Sequence, residues 1–320
     1  DAARALAWGQ LDNGGWGYKI DFRSVRLPHG EAPDPARTPP PRPRGAATFD
    51  DDTTQSALRF LMRVERATRD EALAEAVRRG LKLMLDAQFD NGAWPQRWPL
   101  SRGHYSSYYT FNDAAINDCV RVMMQAHEAY GDERFGQSVR KAGQFIAASR
   151  GRPPQAGWGQ QYSHDLAIAW ARDFEPPGYC SAVTARNILT LIDICLCTGD
   201  EKFLDPIAEA AAWLERSRLA DGTWARFYEP KTNRPYFCDR GRRILYDVER
   251  LGPERRHGYA WLGDFGVSKA LVAWAELGRL GRQAYAARRD RAMTAAERQQ
   301  RLRGLEPRVR EAIAAQDGQG

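Results

Sequence analysis

The sequence predicts an all-α protein, an (α/α) toroid of helical hairpins with a few short strands in its loops. Three observations carry that expectation: apolar residues return at helical spacing in one segment after another, strand-like alternation is rare, and a Gly-Trp unit recurs after helical stretches. The unit reads GQLDNGGW at Trp16 and AQFDNGAW at Trp94, with weaker relatives PPQAGWGQQ around Trp158 and SRLADGTW around Trp224. Each interval has room for two or three helices and their loops. The unit is therefore a hairpin, in which Gly supplies the left-handed residue that ends a helix and Trp turns back over the exposed end.

The helical stripes follow in order. Leu58, Leu61 and Val64 form one, Leu81, Leu83 and Met84 the next, and Ile116, Val120, Met123 and Met124 a third. FGQSVRKAGQFIAA, TARNILTLIDICL, FLDPIAEAAAWLE and GVSKALVAWAELG continue the pattern. A small β element is expected near GTWARFYEP and RPYFCD. The stretch 26–45 is too rich in proline for a helix or central strand and reads as a long surface loop. From about 279 to 320 the chain is an arginine-rich helical tail with a solvated face. All 320 residues are expected to belong to one domain.

Composition excludes several classes. With 43% hydrophobic and 28% charged residues, the chain has the balance of a soluble globular protein. No apolar run approaches the roughly 20 residues that span a bilayer, so no membrane partner is expected. The net charge of +6 favours an anionic partner. No module with interleaved basic and stacking residues is present, which argues against nucleic acid. The five cysteines are odd in number and lack zinc-like spacing. One or two disulfides stay open, while Cys195 and Cys197, in an apolar helical stretch, are expected to be buried free thiols. The opening DAARALAWGQ has neither the basic nor the apolar region of a secretory signal, so any such signal was removed before this numbering begins.

The densest acidic run is TFDDDTTQSALRFL, where Asp50, Asp51 and Asp52 open a helix. One carboxylate would suffice as a cap. Three in succession, with no basic residue beside them, repel one another unless a cation relieves them, and hard cations prefer such oxygens. YYTFNDAAINDCVRV repeats the grammar with Asn112 and Asp113, as though two hairpins carry equivalent acidic ends to one rim. Capping and metal binding both remain open for this pair. Arginines gather later in aromatic-rich segments: Arg172 beside Trp170, then Arg234, Arg240, Arg255 and Arg256. Any one alone reads as a surface salt-bridge partner, but together they suit a polycarboxylate, which guanidinium groups grip bidentately. The five histidines are scattered, and no HExxH, GxSxG, P-loop or GxGxxG motif is present.

Taken together, DNGGW, DNGAWPQRWPL, TFNDAAIND, GWGQQYSHDLAIAWARDFEPP and ERRHGYAW resemble the pectate lyases of polysaccharide lyase family 10 over most of the chain except the tail. The resemblance implies a secreted, monomeric (α/α) toroid that cleaves polygalacturonate by Ca2+-dependent β-elimination. It implies metal binding by Asp113, Asp50 and Asp51 and proton abstraction by Arg172, with Arg186 and Arg234 as fallback bases. Its substrate-binding arginines match Arg240 and one of the pair Arg255 and Arg256, and Arg234 and Trp98 are expected to bind substrate as well. A free guanidinium is protonated at ordinary pH, so an arginine base requires neighbouring cations and desolvation to lower its pKa, and an alkaline optimum follows. Two other readings stand beside it. One is a toroid sugar hydrolase or isomerase using Asp50 and Asp113 as acid and base. The other is a non-catalytic polyuronate-binding module in which Trp94, Trp98 and Trp224 stack on sugar rings.

Overall fold

The computed structural model describes residues 2–20 and 44–291. Most of the proline-rich stretch and most of the tail lie outside them. The chain divides into two compact units, Asp1–Trp274 and Ala275–Gly320. The tryptophan units, the acidic run and the arginine cluster all lie in the first unit. Of the second, the described part is the end of one helix, α9 (Val267–Leu280), followed by α10 (Arg282–Asp290).

The first unit begins with α1 (Ala2–Trp8) and then repeats a helical hairpin. The pairs are α2 (Thr53–Thr68) with α3 (Glu71–Asp86), α4 (Ala115–Tyr130) with α5 (Glu133–Ala148), and α6 (Ser181–Thr198) with α7 (Ile207–Arg216). Helix α2 packs on α4 and α4 on α6, so the first helices of successive hairpins form one layer. A short α8 (Pro253–Gly258) precedes α9. This is the all-α hairpin architecture that the stripes predict.

The two helices of each hairpin are joined by a nearly constant link. A left-handed residue ends the first helix: Arg69 after α2, Gly131 after α4, Gly199 after α6. The next residue is Asp70, Asp132 or Asp200, whose carboxylate accepts backbone N–H bonds of the following turn. These links form one end of every hairpin. The long connections, with the tryptophan units and the acidic run, lie at the other.

The tryptophan units close that other end in one way. Indole Nε1 of Trp16, Trp94, Trp158 and Trp224 donates to Leu6, Met84, Ile146 and Leu214 carbonyls at 2.9, 2.8, 2.7 and 2.7 Å. Each therefore donates to a carbonyl in the last turn of the preceding helix, where no N–H follows four residues on, a bond worth about 1 kcal/mol net. All four rings are buried, so Trp94 and Trp224 pack in the core and do not stack on sugars. The glycine has a different task from the one expected. Helix α3 ends at Ala87 in ordinary helical geometry, and Gly92, at φ 96°, lies in a tight turn beyond it. Gly92 N–H donates to Phe89 O, and Phe89 N–H to Ala93 O. A Cβ on Gly92 would lie 2.1 Å from Lys141 O of the next hairpin. The turn must be bare there because the neighbouring helix runs against it.

Short strands knit these loops. In chain order they are β1 (Ala47–Thr48), β2 (Arg97–Trp98), β3 (Tyr109–Thr110), β4 (Trp158–Gly159), β5 (Gln161–Tyr162), β6 (Tyr179–Cys180), β7 (Trp224–Ala225), β8 (Phe227–Tyr228), β9 (Pro235–Asp239), β10 (Arg243–Leu245) and β11 (Leu262–Gly263). An antiparallel sheet in the order β10-β9-β8-β6-β4 contains the β element expected near RPYFCD. Pairs β1 with β2 and β3 with β5 stand immediately before α2 and α4, with Ala47 opposite Trp98 and Thr110 opposite Gln161.

Two expectations need correction. Cys197 is exposed, while Cys195 is buried, because Cys197 falls on the outer face of α6. Helix α6 is also long and apolar enough to cross a membrane by length and composition, contrary to the sequence reading. It is 61% buried within the protein, as befits a helix in the core layer.

Candidate active site

Two turns of matching shape build the acidic rim. Thr48-Phe49 and Thr110-Phe111 each end a two-residue strand with a wholly buried phenylalanine. Each chain then enters a 3-10 turn, Asp50–Asp52 or Asn112–Ala114, before the helix starts. Asp51 (φ 50°, ψ 32°) and Asp113 (φ 46°, ψ 31°) take the left-handed conformation, and so do the next residues, Asp52 and Ala114. Such a pair without glycine costs on the order of 1–3 kcal/mol per residue and persists only where the surroundings enforce it. The anchored phenylalanines and strand pairs supply that enforcement.

The capping reading fails for this run. Neither 3-10 turn shows a side-chain cap, and Asp52, at the N-cap of α2, does not accept from its backbone. Asp52 instead accepts from Arg59 at 2.8 and 2.5 Å, about two turns into the helix. The sequence reading found no basic residue beside the run, but helical geometry brings one back seven positions later.

Asp50, Asp51 and Asp113 come together, with a ligand oxygen from each lying within 4.8 Å of the others. Tyr18 donates its hydroxyl to Asp50 Oδ2, while Asp50 Oδ1 is buried with no donor among the described residues. Asn112 Nδ2 donates to Asp113 Oδ2 at 3.0 Å. Although Asp113 keeps an exposed edge, its carboxyl is pushed up to about 6 by burial first, then by the charges of Asp50, Asp51 and Glu175. Burial and Asp50 likewise raise the Asp51 carboxyl. Three crowded carboxylates and an orphaned buried oxygen fit a bound hard cation.

Arg172 faces this rim closely enough that its charge lowers the pKa of both Asp51 and Asp113. Its own partner is Glu175, which is 1% exposed. Arg172 Nε donates to Glu175 Oε2 at 2.8 Å and Nη2 to Oε1 at 2.6 Å. Tyr259 adds its hydroxyl to Oε1 at 3.1 Å. The guanidinium pKa is accordingly raised, mainly by the hydrogen bonds it donates to Glu175. This is opposite to the lowering that an unassisted arginine base requires, and the cause is a carboxylate three residues along the same motif.

Phe174 gathers the other arginines. Its buried ring lies 5.0 Å from Arg172, 5.4 Å from Arg240 and 4.2 Å from Arg255. Arg240 and Arg255 both pair with Glu254 Oε1, at 2.7 and 2.8 Å. The remaining candidates separate from this cluster. Arg256 pairs with Glu249, Arg234 stacks on Tyr246 at 3.9 Å, and Arg186 stands on α6, where its charge bears on Asp118. Trp98 lines a cavity of about 570 Å³ with Asn13, Arg44 and Pro99, which contains none of the three carboxylates. Asp51 instead lines a neighbouring cavity of about 630 Å³ with Tyr18, Ser56 and Phe60.

Sequence reasoning missed Tyr18, Phe174, Glu175 and Tyr259. All four sit inside segments already singled out: Tyr18 after DNGGWG, Phe174 and Glu175 in ARDFEPP, and Tyr259 in ERRHGYAW. The arginines stand out in these segments by their charge, whereas the groups that hold them have no spacing that marks them.

The pectic acid lyase family matches residues 10–223 and 217–270. Among curated proteins no sequence matches significantly. Among solved structures, the fold resembles a mutant family 10 polysaccharide lyase from Cellvibrio cellulosa in complex with trigalacturonic acid. That match has a TM-score of 0.72 and 23% identity, covering 88% of this chain and 93% of the other. A second structure of a family 10 polysaccharide lyase from Cellvibrio cellulosa matches with a TM-score of 0.66, again at 23% identity, 88% and 93% coverage. The family match spans the tryptophan units, the paired acidic turns and the arginine cluster alike, so the chain belongs to the pectic acid lyase family and is a lyase of the (α/α) toroid class.

Proposed function

We propose that the chain cleaves polygalacturonate by Ca2+-dependent β-elimination, with Asp50, Asp51 and Asp113 holding the ion and Arg172 taking the proton. The observation that carries this reading is the convergence of three carboxylates from two equivalent turns on a site faced by Arg172. The similar fold that holds trigalacturonic acid supports the substrate class. A polymer of this kind is met outside the cell, and the chain is proposed to act there as a monomer.

A calcium ion, when bound, would supply positive charge to the uronate carboxylate as negative charge develops there. The chain's own groups do the rest. Arg240, half exposed and sharing the Phe174 ring with Arg172, would engage a neighbouring uronate in plane, and the almost buried Arg255 would add positive charge behind it. Glu175 accepts from Nε and Nη2 of Arg172, so Nη1, with no partner among the described residues, is the nitrogen that would take the substrate hydrogen once it has given up a proton of its own. Fixed donors aimed at developing charge are commonly the largest catalytic contribution.

The test is the rise in ultraviolet absorbance from unsaturated uronide ends at alkaline pH, with calcium and then with chelator. The expected result is a calcium-dependent rise. New reducing ends without a double bond would indicate a hydrolase instead.

A further inference from the structure

The carboxylates of the rim are held by different donors, and one donor comes from outside both turns. In the second turn Asn112 Nδ2 occupies Oδ2 of Asp113 at 3.0 Å, and Asp113 Oδ1 has no partner among the described residues. In the first turn Asp50 stands where Asn112 does, and a carboxylate has no N–H to give. Tyr18 supplies the missing donor. Its hydroxyl donates to Asp50 Oδ2, and Asp50 Oδ1 is left buried with no donor among the described residues. In each turn, then, one aspartate has one oxygen taken by a neutral donor and the other bare.

The backbone fixes where that hydroxyl stands. Besides the indole bond to Leu6, Trp16 donates its backbone N–H to Thr54 Oγ1 at 3.1 Å. Its carbonyl accepts from the Thr54 hydroxyl at 3.1 Å and from the Thr48 N–H at 2.9 Å. Thr48 Oγ1 in turn accepts the Asp50 N–H at 3.2 Å. Tyr18, two residues beyond Trp16, is thus strapped to the first acidic turn. Two residues beyond the other tryptophans stand Gln96, Gln160 and Arg226. Gln160 reaches the Tyr259 hydroxyl, and Arg226 the Ala260 carbonyl. Among the described residues, Tyr18 alone of these four donates to a carboxylate of the rim.

We infer that Tyr18 is a positioning residue of the cation site: its hydroxyl holds Asp50 Oδ2, presents Oδ1 to a divalent ion, and so sets how tightly the site binds it. This rests on the cation part of the reading above. Groups that hydrogen-bond a ligating carboxylate govern roughly 10- to 100-fold in metal affinity. Tyr18 is 51% exposed, so water partly replaces its hydroxyl, and its effect belongs at the lower end of that range.

The test is Tyr18→Phe in the full chain, freed of metal by chelator, checked for native circular dichroism and titrated calorimetrically with calcium alone. Phenylalanine keeps the ring and removes only the donor. The expected result is a calcium Kd about tenfold above native. The calcium needed for half-maximal formation of unsaturated ends rises by the same factor, while kcat at saturating calcium falls less than about threefold. Tyr130→Phe is the comparison. It takes a hydroxyl away from another carboxylate, Glu65 at 3.0 Å, at the end of α4 far from the rim. Its calcium Kd is expected within about twofold of native, as befits a distant site with no shared partner.

A Kd for Tyr18→Phe within about twofold of native overturns the inference, and so does an equal rise in Tyr130→Phe. A higher KM for polygalacturonate with the calcium Kd unchanged also overturns it, since Tyr18 would then act on the substrate. A native chain that binds calcium but forms no unsaturated ends sinks the lyase reading and leaves the clamp to be judged on the calcium Kd. A native chain that binds no calcium overturns the inference together with the cation reading.

Discussion

The turn at Asp50–Asp52 and the turn at Asn112–Ala114 share a backbone but not a set of side chains. In both, the second residue is an aspartate in the left-handed region, and these two aspartates point into one site. The first position differs. Asp50 contributes a third carboxylate, whereas Asn112 contributes an amide that steadies Asp113. The third differs as well, with Asp52 tied to Arg59 and Ala114 tied to nothing polar. A repeated backbone therefore sets where ligands stand, and the residues on it set how much charge gathers. A fourth carboxylate at position 112 would add repulsion to a site that already raises the pKa of Asp113.

If that comparison holds, Asp51→Ala and Asp113→Ala should do similar and large damage. Each is expected to lower kcat/KM by roughly 100-fold or more, as loss of a charge-stabilising group does. A tenfold disparity between them, in assays with saturating calcium, would break the equivalence of the turns. Asp50→Asn makes the first turn resemble the second. It keeps an oxygen ligand but removes a charge, so a loss of about tenfold, recovered in part at higher calcium, is expected.

Next in size is an effect on stability in chelator. The Asp113 carboxyl lies above its ordinary value in the folded chain, so the native state holds its proton more tightly than the unfolded state does. Stability from this group is therefore present at low pH and falls as pH rises through about 6. Without calcium, Asp113→Asn should unfold at a higher temperature than the native chain at pH 7 but not at pH 4. The gain is about 1 kcal/mol, reduced by solvent screening at the exposed edge. Thermal melts at the two pH values decide it. Asp52→Ala, which copies Ala114, should cost less than about 1 kcal/mol and leave turnover within about threefold, because its partly exposed pair with Arg59 serves the helix and not the site.

How much of this was readable in the sequence follows from the same two turns. Thr-Phe-Asp-Asp and Thr-Phe-Asn-Asp announce equal positions because a buried phenylalanine and a strand end leave few conformations open. The tryptophan units were legible for a similar reason, since a large ring with one donor has one way to finish a helix. The hairpin links Arg69-Asp70, Gly131-Asp132 and Gly199-Asp200 were equally visible, each followed by glutamate, but carry too few apolar residues to register as a repeat. Strands of two residues have no period to detect, so those that aim the turns were mostly invisible. The partnership of Arg172 with Glu175 depends on a loop with no regular spacing, and Asp52 with Arg59 on counting along a helix. The gathering of Arg172, Arg240 and Arg255 on Phe174 is a matter of packing between segments far apart in the chain.

The central claim is that the two turns hold one cation between them, and calorimetric titration of calcium into the chain with trigalacturonate present tests it most directly. The account predicts a saturable binding event that is lost in Asp51→Ala and in Asp113→Ala alike and survives in Asp52→Ala. Binding that persists in both of the first two variants, or no binding by the native chain, would contradict it.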